Sequence, residues 1–243
     1  PSLCEMKEPE KIGIYSNSMN KLDVLHFNSD SLLYVKTLHF PLWNKQRGIP
    51  KAYTRLIQYN DSLFIGTSFM PKEISVELMN LKTEKVVNSV NFPLKPKEGE
   101  YSRPYECKIA TEMNFIVAAY RYINRLEIYK LSDQKFQLNT IIGDANNQYD
   151  LYRLNKDNEM ILHYSDIVCG KNQIYALYRG VKEKELSSAN SKIEVYSYDG
   201  THLHTFDLGR SIEKILVDES SMRIYAFDRN EEEDIVIYYT MKK

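Results

Sequence analysis

Six residues have the types and spacing to do chemistry together. Arg121, Arg179 and Arg229 each close a short apolar segment of one pattern: Ile116-Val-Ala-Ala-Tyr-Arg121, Ile174-Tyr-Ala-Leu-Tyr-Arg179 and Ile224-Tyr-Ala-Phe-Asp-Arg229. Glu106, Asp166 and Glu213 recur near the starts of the segments that precede them. A guanidinium offers its N–H donors in a planar fork, so three recurrent arginines suit a carboxylate, a phosphate or a sugar acid. The three carboxylates are hard oxygen donors of the kind that hold Ca²⁺ or Mg²⁺. Arg55, Cys107 and Lys108 stand at comparable positions, and cations there oppose capture of a metal. The competing role for the arginines is a purely structural one, pairing with a local acid such as Glu127 or Glu194.

Other chemistry is sparser. His202 and His204 share a strand face by their period of two, which suits Zn²⁺, yet no third ligand lies near them in the sequence. There is no Gly-x-Ser-x-Gly motif and no glycine-rich phosphate loop among only 9 glycines. The run Glu231-Glu232-Glu233-Asp234 reads as a solvated loop or a contact for a basic partner. Tyr120-Arg121-Tyr122 and Tyr238-Tyr239 supply the aromatic and Arg types favoured at carbohydrate or protein contact surfaces.

The elements that must position these groups are strands. Tyrosine is unusually abundant at 19 residues, and short stretches such as Leu63–Phe69 and Lys192–Tyr198 are rich in β-branched and aromatic side chains. Between them lie turn formers: Asn60-Asp61, Asp157-Asn158, Lys171-Asn172 and Tyr198-Asp199-Gly200-Thr201, the last a hairpin signal. The strands recur in units of about 50 residues, the period of propeller blades. Tyr53–Ile57, Tyr105–Ile109, Tyr164–Val168 and Ser211–Ile215 align without gaps as inner strands. Second strands end in the three arginines, and third strands follow at Leu126–Tyr129, Ile193–Tyr196 and Ile235–Tyr238.

The expected fold is therefore all-β, a propeller of four-stranded antiparallel blades forming a single domain over residues 1–243. Three blades are complete, at about 53–93, 105–143 and 164–208, and two are incomplete, at 12–40 and 212–240. Five blades are thus visible, and an N-terminal segment completing six in the parent protein is the expectation. In such a fold the first strand begins, and the second ends, on one face, so the arginines and carboxylates would share a rim around the channel.

Composition narrows the partners. Lys and Arg number 32 against 33 Asp and Glu, so no global field favours nucleic acid. No apolar run approaches the roughly 18 residues of a membrane helix. Three cysteines, Cys4, Cys107 and Cys169, cannot all pair within the chain, which removes a disulfide framework.

At Tyr164-Ser-Asp-Ile-Val, Ile174-Tyr-Ala-Leu-Tyr-Arg-Gly180, Ile193-Glu-Val-Tyr-Ser-Tyr-Asp-Gly200 and Ile224-Tyr-Ala-Phe the chain resembles the TolB-like six-bladed β-propellers abundant in Bacteroidetes. The resemblance is strongest over 164–228. A Gly-Pro-Gly-Glu type turn after an early blade is absent, with Arg47-Gly48-Ile49-Pro50 in its place. The resemblance implies an exported protein of the periplasm or outer-membrane surface, with a lipid anchor upstream of this chain and no activity attached. The expected function is a non-catalytic binding or scaffolding module for an anionic small molecule, glycan or protein, held by Arg121, Arg179 and Arg229 without a cofactor. The alternative is a metal-dependent hydrolase of lactonase or esterase type, with Ca²⁺ in the channel on Glu106, Asp166 and Glu213.

Overall fold

The computed structural model describes residues 2–16, 18–40, 53–70, 73–93, 107–112, 114–144, 160–228 and 236–241. They are almost wholly strand and turn, and they divide into two compact units, Pro1–Leu94 with Ser132–Phe136, and Lys95–Leu131 with Gln137–Lys243.

The first unit holds β1 (Ser2–Glu5), β2 (Lys11–Ser16), β3 (Lys21–Asn28), β4 (Ser31–His39), β5 (Tyr53–Gln58), β6 (Leu63–Met70), β7 (Glu73–Asn80) and β8 (Lys85–Pro93). They form one eight-stranded sheet in the order β4-β3-β2-β1-β5-β6-β7-β8. Each set of four is an antiparallel meander, and the two meanders join through a parallel pairing of their inner strands, Cys4 opposite Leu56 and Glu5 opposite Ile57. The first blade, expected to be incomplete over 12–40, has all four strands. Its inner strand β1 pairs with β2 from Ser2 opposite Tyr15 to Glu5 opposite Ile12. Four residues are too short for an alternating pattern to stand out, so β1 is invisible to periodicity.

The second unit holds β9 (Cys107–Glu112), β10 (Phe115–Tyr120), β11 (Arg125–Ser132), β12 (Lys135–Gly143), β13 (Ile161–Cys169), β14 (Gln173–Lys182), β15 (Lys192–Ser197), β16 (His202–Asp207), β17 (Lys214–Asp218), β18 (Arg223–Phe227) and β19 (Val236–Thr240). Two four-stranded sheets run β12-β11-β10-β9 and β13-β14-β15-β16, and a three-stranded one runs β17-β18-β19. A 3-10 turn over Glu183–Glu185 follows β14.

Turn chemistry acts where the sequence places it. Gly200 adopts φ 93° in the β15–β16 hairpin, and Asp199 accepts the Thr201 N–H at 2.9 Å. Asn60 accepts the amides of Ser62 and Leu63 at 3.0 and 2.9 Å to reverse the chain between β5 and β6. Asp157-Asn158 lies outside the described residues.

Central strands bury both faces, which is why they read as continuous apolar runs rather than as strict alternation. In β14, Ile174 and Ala176 pack with Val117, Leu126 and Ile128 of the preceding blade, while Tyr175 and Leu177 pack with Ile215, Ile224 and Ala226 of the following one. A comparable core in the first unit sets Tyr15, Leu22 and Val24 against Tyr53, Leu56 and Phe64. Each fully buried aliphatic side chain contributes about 1.5–3 kcal/mol.

One register position is common to all five sets of consecutive antiparallel strands, two of which share the eight-stranded sheet. Gly13, Gly66, Ala118, Ala176 and Ala226 each lie in a second strand opposite an inner-strand residue, respectively Cys4, Leu56, Ile109, Ile167 and Ile215. The gap-free alignment of inner strands is therefore one residue out in β5 and β13. Both strands carry register shifts, between Tyr53 and Arg55 and on either side of Tyr164, where an extra residue is absorbed. The last inner strand also begins later than expected, at Lys214 rather than Ser211. Ser211 and Ile212 are held instead in the preceding loop, where Ser191 Oγ accepts the Ile212 N–H at 2.7 Å.

Candidate functional site

In the second unit, Arg121 follows the end of β10 and Arg179 lies near the end of β14, each three residues beyond the small residue of its strand. Both line a single cavity of about 300 Å³. Glu213, Ser211 and Ser187 contribute from loops, and Leu162 and Ser165 from β13. In a regular strand residues 162 and 165 would face opposite sides. The register shifts around Tyr164 bring both to the cavity wall. The late start of β17 does the same for Ser211 and Glu213, since a loop can turn both inward.

Arg179 is 8% exposed and is woven into the wall. Its guanidinium donates to the carbonyl of Ile212 at 2.5 Å, of Ala189 at 3.3 Å and of Leu186, and to Ser211 Oγ at 2.8 Å. Ser211 Oγ in turn donates to the Leu186 carbonyl at 2.6 Å. These bonds tie the segment after β14 to the loop before β17. Nε of Arg179 is buried with no hydrogen-bond acceptor among the described residues. Nor, among them, does a carboxylate bond directly to this cation. Burial pushes its pKa down, and the nearby Asp228 charge opposes that shift.

Arg121 is more open. Its Nη2 stands 4.0 Å from Glu183 Oε1, and its guanidinium carbon lies 5.4 Å from the centre of the Tyr122 ring. Tyr122 donates to the same Glu183 oxygen at 3.2 Å. The acids expected to pair with the arginines are engaged elsewhere. Glu127 accepts from Arg125 at 2.6 Å and from Tyr129 at 2.8 Å. Glu194 accepts from Tyr164 and Tyr196 at 3.3 and 2.8 Å.

The structure brings Glu213 to the arginines but gives Asp166 a different task. Asp166 Oδ2 accepts the Ile215 N–H at 3.0 Å, joining β13 to β17. Burial raises its pKa, against the bonds from the Ile215 and Ile167 amides and the charges of Lys108 and Lys214. Arg229, Glu106 and the run Glu231–Asp234 lie outside the described residues. Among the described residues no group of three His, Cys, Asp or Glu side chains could hold a metal ion. His202 Nε2 meets Thr205 Oγ1 at 2.9 Å on an exposed strand. Cys4, Cys107 and Cys169 are all unpaired by disulfides.

Sequence reasoning missed the serines and the carboxylate that completes the Arg121 environment. The polar stretch Ser187-Ser188-Ala189-Asn190-Ser191 was their available signal. It also missed a carboxylate series in the third strands, buried at Glu77 and Glu127 and partly buried at Glu194. Glu77, Glu127 and Glu194 lie opposite Gly66, Ala118 and Ala176 and each accepts a tyrosine hydroxyl, Glu77 from Tyr53 at 2.9 Å. Burial first, then Glu77 for Tyr53, Glu127 for Tyr129, and Tyr196 ahead of Glu194 for Tyr164, hold these phenols well above their ordinary range, so they remain donors.

Among solved structures, the chain is similar to the WD40 domain of Toxoplasma gondii coronin, with TM-score 0.53 and 9% identity over 96% of this chain and 53% of that one. It is similar to a putative 6-phosphogluconolactonase from Bacteroides uniformis, with TM-score 0.53 and 15% identity over 99% of this chain and 67% of that one. A β-propeller domain from Myceliophteria thermophila gives TM-score 0.51 and 7% identity, over 99% and 82%. The chain thus spans about half the length of the solved coronin WD40-domain chain, and at these identities the likeness shows the propeller fold alone. No curated protein matches the chain by sequence. The model of one family, TolB-like 6-blade propeller-like, matches residues 4–220, and the chain belongs to that family.

Proposed function

We propose that this protein is a non-catalytic binding module of the cell envelope, whose second-unit cavity takes an anionic group of a small molecule or glycan. The observation that carries this reading is the meeting of Arg121 and Arg179 with Ser165, Ser187 and Ser211 around one space of about 300 Å³. A buried guanidinium solvated by carbonyl dipoles, with no directly bonded carboxylate among the described residues, leaves positive potential in the space beside it. Hydroxyls beside it can donate to an oxyanion or accept from a sugar hydroxyl. Glu213 at the same wall selects against polyanions and favours ligands that also carry donors. Arg179 orders the wall, and Arg121, which is only partly buried, is the group that grips. Membership of the TolB-like family supports export to the periplasm or outer-membrane surface.

The test is calorimetric titration with galacturonate, a monoanion, and, in parallel, with neutral galactose. Saturable binding of the uronate alone is expected, weakened about tenfold by Arg121→Gln, the loss of one charge-assisted hydrogen bond. Absence of uronate binding, or equal binding by the Arg121→Gln variant, overturns the reading.

A further inference from the structure

The first unit holds a second and larger cavity, of about 610 Å³, at the C-terminal end of β1. Its floor and walls are apolar, drawn from Met6, Ile12, Phe27 and Leu56. Cys4 lies beneath, 2% exposed, its thiol pushed up to about 12 by burial and then by the Glu5 charge, so it serves as floor and not as nucleophile. Phe27 is 60% exposed, an unusual state for a large aromatic beside a concave surface.

The charged groups at the mouth are not mutually satisfied. Lys11 is matched by Glu8 at 2.5 Å. Arg55 approaches Glu5 only at 4.0 Å, an ion pair without a hydrogen bond, and its guanidinium makes no hydrogen bond among the described residues. The Lys7 ammonium has no acidic partner there at all, since only its main-chain N–H is bonded, to Gln58 Oε1 at 3.3 Å. Among the described residues these pairings leave one positive charge over, next to a planar fork that makes no hydrogen bond to them.

We infer that this cavity binds an amphipathic monocarboxylate, its apolar body on Met6, Ile12, Phe27 and Leu56 and its carboxylate between Arg55 and Lys7. The volume lies in the range of small-molecule sites, and an apolar lining with a few convergent polar groups is their usual chemistry. The fork of Arg55 matches two carboxylate oxygens, while Lys7 adds a point charge without geometric demand. The single surplus charge fits a monoanion. This site shares no residue with the second-unit cavity and stands or falls without it.

The probe is 4-phenylbutyrate, with 4-phenylbutan-1-ol and 4-phenylbutylamine as its neutral and cationic analogues. Binding is read by NMR of the full chain labelled with ¹³C at the methionine methyls, the Met6 signal being assigned by Met6→Leu. The acid is expected to shift the Met6 methyl saturably and to bind about tenfold more tightly than the alcohol, the contribution of one charge-assisted hydrogen bond. Arg55→Gln and Lys7→Ala, both mouth substitutions outside the core, should each remove most of that preference while the alcohol binds as before. No saturable Met6 shift, equal affinity for acid and alcohol, or a preference that survives both substitutions would overturn the inference.

Discussion

Arg179 and Arg55 both line cavities, and the protein uses them in opposite ways. Arg179 is buried and spends its Nη donors on the Ile212, Leu186 and Ala189 carbonyls and on Ser211. Arg55 has a 46% exposed side chain and, among the described residues, touches one carboxylate, loosely. The first arginine makes its cavity by fixing two loops. The second stands at a cavity already made by strands. Burial, and not recurrence in the repeat, therefore separates an arginine that builds a wall from one that stands open to a ligand.

The sharpest way to break this contrast is to remove each side chain. Arg179→Ala strands three carbonyls and a serine in a buried loop junction, and should cost about 3 kcal/mol in urea unfolding. Arg55→Ala should change stability by no more than about 0.5 kcal/mol. Equal effects would erase the distinction between a constructional and an available cation.

A smaller effect separates the two units at their common register position. The first unit has Gly13 and Gly66 there, and the second has Ala118, Ala176 and Ala226. A Cβ on Gly66 would lie 2.6 Å from Tyr53 Cδ1 and 2.7 Å from Met79 Cε, because the Tyr53 ring leans over the strand on its way to Glu77. Gly66→Ala should destabilise by about 2 kcal/mol by overpacking, read as a lowered denaturation midpoint. A neutral result would mean that the first unit tolerates the same residue as the second.

The smallest effect concerns pH. His163 of the second unit has a half-buried ring whose Nδ1 finds no hydrogen-bond partner among the described residues, and burial lowers its pKa below 6.5. The unfolded chain then takes up the proton first as pH falls, so stability declines below about pH 6.5 and levels off once the folded ring also protonates. His163→Gln should flatten that part of the curve in unfolding experiments run across the range. An unchanged slope would assign the decline to other groups.

How far the sequence was legible follows the same physics. The β15–β16 hairpin was readable because Asp199-Gly200 has few other uses. The convergence of Arg121, Arg179 and Glu213 was readable because strand order fixes which ends meet. The inner-strand register was not, since a bulge costs one residue and leaves no compositional mark in β5 or β13. Arg179's role was hidden for a related reason. Its acceptors are main-chain carbonyls, which every residue has, whereas Glu127 and Glu194 looked available and are held by Arg125 and by tyrosines. The first-unit cavity left no trace in the repeat, because Lys7 and Lys11 flank a loop and Arg55 occupies a bulged strand.

The parallel pairing of β1 with β5 has a consequence for the order of assembly. Every other ladder in the first unit joins strands that are neighbours along the chain, and such hairpins close quickly. The Cys4–Leu56 ladder must wait until three intervening strands have been laid down, and it pays the entropy of a long loop for very few bonds. The two meanders of that unit are therefore set to form as separate nuclei and to be stitched together last, along the strand that also floors its cavity. A chain emerging from the ribosome would carry β1 as a waiting edge until β5 arrived.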